Sequence, residues 1–325
     1  MDSGMRTVVV SEYGGPQVLQ PARLPVPEPA AGEVLVRIEY AGVNPADWRI
    51  RSGEVRRFGT PPFTIGLDLA GTVEAVGPGA DRFRPGDRVF GVTMPPRGSY
   101  AGYAAVPESQ LAAAPRLGGL RHAAALPVAG LTAWQALERA RTVREGARVL
   151  IHGAAGGVGH LAVQLAKARG AHVTATARAA NHAFLRALGA DEILDYTTAD
   201  VAAALAAADR QVDAVIDPIS GGLGLRSLET LRPGGVLVDV RGTGPDRTAL
   251  RARAAHIGRE LVELAFTPSA PDLAALASLV DRGLLRASVA RTLPLEQAAE
   301  AHRAGESGRN RGKIVLSVGP GTAGA

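Results

Sequence analysis

Val149-Leu150-Ile151-His152-Gly153-Ala154-Ala155-Gly156-Gly157-Val158-Gly159 passes from an apolar, strand-like run through a glycine turn into a helical pattern. Gly153, Gly156 and Gly159 recur at every third position, the spacing of a loop that cradles a dinucleotide pyrophosphate. That chemistry needs a tight turn first, and then backbone that lets amides such as those of Ala155, Gly157 and Val158 approach an anion. It also needs a small last residue where helix meets strand. A tight turn without any ligand is the plainer reading of three glycines. The flanking strand and helix favour the dinucleotide loop, and the lack of a Gly-Lys-Ser/Thr excludes a nucleoside triphosphate loop.

Beyond the loop, Val158, Leu161, Ala162, Leu165 and Ala166 share one helical face, and Gly170 suits the C-terminal cap. Strand-like runs follow at His172–Thr176, Glu192–Leu194, Ala214–Asp217, Val236–Val240 and Leu261–Phe266, with helical patterns over 182–188, 199–208 and 222–231. Alternation of this kind predicts an α/β domain built on a doubly wound parallel sheet, a Rossmann domain over 126–266. The residue type at the end of its second strand selects the dinucleotide. An acid there would hold a ribose 2′-hydroxyl, and a base a 2′-phosphate. No Asp or Glu lies between Glu145 and Asp191, while Arg178 follows the strand directly, so the expected coenzyme is NADPH. A solvated surface arginine is the bland alternative.

The chain of 325 residues contains no cysteine, which removes disulfides, thiolate metal sites, iron–sulfur clusters and thiol nucleophiles. Its net charge of +5 raises nucleic acid as a partner. The surplus is concentrated, however. Arg141, Arg144, Arg148, Lys167, Arg169, Arg178 and Arg186 face Glu145 alone around the glycine loop, and aromatic residues make up only 4%. A phosphate-rich coenzyme suits that distribution better than a nucleic acid does. No targeting segment and no membrane span are read, and the expected location is cytoplasmic.

Residues 1–125 read as β-rich. Val34, Val36, Ile38 and Tyr40 alternate with Leu35, Arg37 and Glu39, and short strand-like runs lie near 69–76, 87–93 and 100–106. Pro21–Pro29 reads as an extended surface connection. The tail 267–325, with helices near 272–282 and 295–304 and a strand at Lys313–Val318, is expected to return to this first domain.

Six segments together resemble the zinc-free quinone oxidoreductase (ζ-crystallin-like) branch of the medium-chain dehydrogenase/reductase superfamily. They are Ala41-Gly42-Val43-Asn44-Pro45-Ala46-Asp47 with Arg51-Ser52-Gly53, Gly66 to Val73, Gly130-Leu131-Thr132-Ala133-Trp134, Gly153 to Gly159, Leu188 to Tyr196, and Arg311 to Leu316. The resemblance implies a GroES-like β-rich catalytic domain beside the Rossmann domain. It also implies hydride transfer from NADPH to a quinone or an α,β-unsaturated carbonyl in a cleft between the domains. Asn44 and Thr132 would face the nicotinamide as the catalytic pair, Arg178 and Tyr196 the adenosine phosphate end, and Lys313 the coenzyme from the tail. Gly242 and Phe266 would come from the loops after the fifth and sixth strands. Each has a bland alternative: Thr132-Ala133-Trp134-Gln135 is a capping-box pattern, Asn44 and Asp47 suit a helix start, and Tyr196 suits a core. For Asp47 and Asp68 the alternative, left open by the residues, is that they only brace the loop.

Zinc alcohol dehydrogenases of similar fold carry Cys at the position of Asn44 and Gly-His-Glu at Gly66-Leu67-Asp68, so no metal is expected here. Many relatives have a tyrosine where this chain has Val55, which removes one proton donor and weighs against the alternative of an enoyl-thioester or polyketide-tailoring enoyl reductase. A non-catalytic NADPH- or RNA-binding protein is the rival from another class. An exposed edge strand at Glu260–Phe266, which such folds pair across a twofold axis, predicts a homodimer.

Overall fold

The computed structural model describes residues 4–206, 209–240 and 246–319. It divides into two compact units, Thr132–Thr267 and a second built from Met1–Leu131 with Pro268–Ala325. The first boundary falls inside the helix Pro127–Arg139.

In the unit Thr132–Thr267, six parallel strands lie in the order Glu192–Leu194, His172–Thr176, Arg148–Ile151, Val212–Asp217, Leu231–Asp239, Glu260–Glu263. The first strand in sequence stands at the centre and the order reverses beside it, which makes this a doubly wound Rossmann sheet with its switch point at the glycine loop. On one face Leu150, Val215 and Leu237 pack with Leu205, Leu228 and Leu250 of the helices Val201–Leu205, Gly222–Leu228 and Thr248–His256. Each such side chain contributes about 1.5–3 kcal/mol when taken fully out of water. The helix after the loop, Gly159–Ala168, is buried from Gly159 through Ala166 on every side, not on one face only. Gly170 takes φ +76° after it, as the cap requires.

The last strand ends at Glu263, short of the expected Phe266. Leu264 makes the final contact to Asp239, and Thr267 then donates to the Gln135 side chain ahead of Pro268, which draws the chain off the sheet. Phe266 is therefore half-buried in the coil that follows.

The other unit carries a seven-stranded sheet whose path runs Val289–Pro294, Lys313–Ser317, Glu33–Val43, Asp68–Val76, Arg88–Val92, Leu111–Ala113, with Tyr103–Pro107 also paired to Glu33–Val43. The tail thus returns to the N-terminal sheet through Lys313–Ser317. A three-stranded sheet of Leu19–Leu24, Met5–Val10 and Phe63–Thr64 accompanies it. Pro21 lies within the first of these strands, opposite Val8, which corrects the reading of that segment as connection alone. The strand is at the sheet edge, where a missing amide costs nothing in the ladder. Among the described residues no helix is long and apolar enough to cross a membrane.

Candidate functional site

The glycine loop is built as its spacing requires. Gly153 adopts φ +53°, in the left-handed region, and its carbonyl accepts from the Gly156 amide at 2.9 Å to close the turn. A Cβ on Gly159 would lie 2.4 Å from the Gly153 oxygen and 2.6 Å from the Ala154 Cα, so only glycine lets the helix start this close to the strand. Among the described residues the amides of Ala155, Gly157, Val158 and Gly159 have no acceptor. Together with the following helix dipole they form a cradle of donors that fits a pyrophosphate.

The two histidines beside the loop hold it in place. His160 donates from Nδ1 to the Gly156 carbonyl at 2.8 Å. His152 is buried between the hydroxyls of Thr176 (3.0 Å) and Ser227 (2.8 Å), and burial pushes it down to about 4, so it is neutral near pH 7.

Arg178 stands exposed just past the end of His172–Thr176. The sheet brings an acid nearby that linear reading did not consider: Asp195, beyond the third strand, accepts from the amide of Ala179 at 2.8 Å. Its oxygens also accept from the hydroxyl and amide of Thr197, which hold it below the usual carboxylate range. Tyr196 is 49% exposed, which excludes the core role. Thr132 is buried in the second turn of Pro127–Arg139 and does not start that helix, because Pro127 takes the first position. Gly242 lies outside the described residues.

A second cluster belongs to the β-rich unit, and strand register assembles it. Ile314 pairs with Val43, so the preceding Lys313 arrives beside Asn44, while Gly42 pairs with Asp68. Gly42 is required there, since a Cβ would sit 2.6 Å from Asp68 Oδ2 and 2.3 Å from the Ala124 carbonyl. Lys313 Nζ donates to Asn44 Oδ1 and, at 3.1 Å, to Asp68 Oδ2. Asn44 Nδ2 donates to the same Asp68 oxygen at 2.9 Å, and the Val128 amide donates to Asp68 Oδ1 at 2.8 Å. All three side chains are buried, and the lysine compensates a carboxylate that burial alone would penalise heavily.

Asp47 continues this cluster from the helix Pro45–Arg51. Its Oδ2 accepts from the Asn44 amide at 2.7 Å, at the helix start expected from these two residues, and from the Tyr100 hydroxyl at a long 3.3 Å. Beyond it runs a column that the sequence reading missed. His302 lies 3.1 Å from Tyr100 through Nε2 and 3.1 Å from Arg51 through Nδ1, and Arg51 pairs with Glu306 at 2.6 Å. Arg51 can only donate, so His302 accepts on Nδ1, donates from Nε2 to Tyr100, and Tyr100 donates to Asp47. The strand-like run expected near 100–106 begins at Tyr103, so Tyr100 lies in the loop before Tyr103–Pro107. Burial raises the Asp47 carboxyl to about 7, lowers His302 to about 3 and pushes the Tyr100 hydroxyl well above its ordinary value.

A β-rich unit carrying this cluster, in one chain with a Rossmann unit that has a complete dinucleotide loop, defines a medium-chain dehydrogenase/reductase. The profile described as "Alcohol dehydrogenase GroES-like domain" matches residues 30–116, and "Zinc-binding dehydrogenase" matches 188–316. The chain is 36% identical over 324 residues to the chloroplast envelope quinone oxidoreductase homolog of Arabidopsis thaliana, covering 96% of this chain and 98% of that one. Its structure superposes on that of the quinone oxidoreductase from Coxiella burnetii with a TM-score of 0.90 at 34% identity, covering 97% and 99% of the two chains. It also matches 14% of the spectinabilin polyketide synthase system protein NorB of Streptomyces orinoci, at 37% identity over 322 residues and 96% of this chain. The chain belongs to the quinone oxidoreductase family.

The donor set does not fit the zinc ion that one matching profile carries in its description. Leu67 has no lone pair to give, and the facing oxygens of Asn44 and Asp68 are engaged by Lys313. Among the described residues no three His, Cys, Asp or Glu side chains gather as a metal would need.

Proposed function

We propose that this protein is an NADPH-dependent, metal-independent reductase that delivers hydride to a quinone or to the β-carbon of an α,β-unsaturated carbonyl. The observation that carries the reading is the loop Gly153–Gly159, whose amides of Ala155, Gly157, Val158 and Gly159 await an anion at the switch point of the sheet. The nicotinamide coenzyme supplies the hydride, and the protein's part is to bind, orient and exclude water. Loop amides hold the pyrophosphate, and the Arg178 guanidinium pairs with the 2′-phosphate. Asp195, whose oxygens already accept three hydrogen bonds, is poorly placed to take a ribose hydroxyl instead, which supports NADPH over NADH. Tyr196, Gly242 and Phe266 belong to the coenzyme-binding set.

On the β-rich unit, Asn44 and Lys313 present polar hydrogens where a metal enzyme would present its ion, and Thr132, in the other unit, belongs to the proposed nicotinamide-binding set. Quinone reduction suits such a site, because delocalisation spreads the developing charge and no Lewis acid is required. The four-residue edge strand Glu260–Glu263 supports a homodimer formed by pairing across a twofold axis.

NADPH oxidation followed in parallel with 1,4-benzoquinone, a simple enone and a crotonyl thioester tests the assignment. The quinone or enone should turn over, and EDTA or added zinc should leave the rate unchanged. Preference for the thioester would favour the enoyl reductase reading, to which the match with NorB lends support. Chelator-sensitive turnover would refute the metal-independent mechanism.

A further inference from the structure

The two buried carboxylates of the β-rich unit are treated differently by the fold. Asp68 has a cation, Lys313, and three donors in all. Asp47, fully enclosed, has two donors on Oδ2, and among the described residues its Oδ1 meets no partner at all. The nearest cation in its column, Arg51, is spent on His302, Glu306 and the Gly14 carbonyl. A carboxyl placed like this holds its proton far more readily than one paired with a base.

The groups packed around it decide what its proton does. Asp68 and Lys313 lie on the two strands that flank Glu33–Val43 in the sheet, Tyr100 on the loop before Tyr103–Pro107, Arg51 on its own helix, and His302 and Glu306 on Ala298–Glu306. Arg49, also on its own helix, pairs with the exposed Glu54. Lys313 favours the ionised form of Asp47 and Asp68 opposes it, so the three charges are coupled. The Tyr100–His302–Arg51 column has a single orientation of donors and ends on the Asp47 oxygen, and burial keeps His302 neutral across the ordinary pH range. Burial, with no partner on Oδ1 among the described residues, raises the Asp47 carboxyl to about 7.

We propose that Asp47 is a positioning residue whose single proton switches the net charge of the Lys313–Asn44–Asp68 cluster between zero and minus one, and so sets how tightly this site holds an anionic nicotinamide dinucleotide. The inference rests on the reductase reading above. With Asp47 protonated, Lys313 and Asp68 cancel, and Asn44 is held by the hydrogen bond its backbone amide donates to Asp47 Oδ2. Loss of the proton adds a buried negative charge, which disfavours the coenzyme phosphates. The expected effect of one unit charge, at an effective dielectric near 20 and beyond direct contact, is about threefold to tenfold in affinity.

Two readouts test this. With aspartate carboxyls labelled with carbon-13, the wild-type protein should show one carboxyl resonance titrating with a midpoint near pH 7, absent in Asp47→Asn. In Tyr100→Phe the midpoint should move up, because the tyrosine donor that favours the ionised form is gone. NADPH dissociation constants at pH 6 and pH 8 should then differ between wild type and Asp47→Asn, with the wild type losing about threefold to tenfold more affinity at pH 8. The titration of the 2′-phosphate itself is common to both proteins and cancels. Asparagine keeps an acceptor for the Asn44 amide, and Tyr100→Phe supplies the test should Asp47→Asn fail to fold. No aspartate titrating between pH 6 and 8, or identical pH profiles in the two proteins, overturns the inference. Failure of the wild type to bind NADPH at either pH would refute the reductase reading itself.

Discussion

Replacing Lys313 with Met removes the only cation that touches Asp68 among the described residues while keeping most of the side-chain volume. Lys313 is 3% exposed and Asp68 fully buried, so water cannot take over the lost partner. Asp68 would retain the donors of Asn44 at 2.9 Å and Val128 at 2.8 Å, but Asn44 Oδ1 would lose its donor and the carboxylate its counter-charge. Breaking one side of a buried pair costs about 3–5 kcal/mol. At about 2–4 °C per kcal/mol, the melting temperature should fall by roughly 6–20 °C. The double variant Lys313→Met/Asp68→Asn removes the stranded charge and should recover at least about 1 kcal/mol relative to the sum of the single losses. Calorimetry and urea unfolding of the four proteins measure this cycle. A loss below about 1 kcal/mol in Lys313→Met, or strictly additive single losses, would show that the cluster is not the coupled unit its hydrogen bonds describe.

Gly159→Val should abolish coenzyme binding, with at least a hundredfold rise in the NADPH dissociation constant, whereas Gly156→Ala, whose Cβ meets only the Gly153 oxygen at 3.1 Å, should be milder; fluorescence titration ranks them. The Rossmann unit should be the acid-labile one. His152 is held at about 4 against 6.5 when unfolded, so its contribution is present above pH 6.5 and is lost as pH falls, about 2 kcal/mol between pH 7 and 5. In the β-rich unit His302, at about 3, loses a similar amount over that range. Asp47, raised to about 7, gains about 2 kcal/mol there as it takes up its proton, and the two nearly cancel. Hydrogen exchange at pH 7 and pH 5 should therefore show loss of protection in 132–267 first, and His152→Gln should remove that difference; uniform loss across both units would contradict the assignment. Light scattering at micromolar concentration should give the mass of a dimer, and a monomer would remove the proposed role of Glu260–Glu263.

Local chemistry made much of this architecture legible. The strand His172–Thr176, the loop glycines and the helix start at Asn44 and Asp47 all depend on neighbours within a few residues, and sequence patterns report such neighbours directly. Two kinds of feature escaped. Thr132-Ala133-Trp134-Gln135 satisfies the capping pattern, but Pro127 starts the helix a turn earlier, and a motif carries no information on which of two starts prevails. The column Asp47–Tyr100–His302–Arg51 joins residues up to 251 positions apart, each ordinary in its own segment. Only strand register and helix packing bring them together, so no short-range signal marks them. Asp195 beside Ala179 is a third instance: no acid follows the strand His172–Thr176 along the chain, and the sheet supplies one from the end of the adjacent strand.

Coenzyme preference tests the proposed function most directly. Fluorescence titration with NADPH and NADH should show the wild type binding NADPH at least about tenfold more tightly, the value of one charge-assisted guanidinium–phosphate contact. Arg178→Ala should lose that advantage and leave NADH affinity unchanged. Equal affinity for the two coenzymes, tighter NADH binding, or an NADPH preference that survives Arg178→Ala would contradict the account.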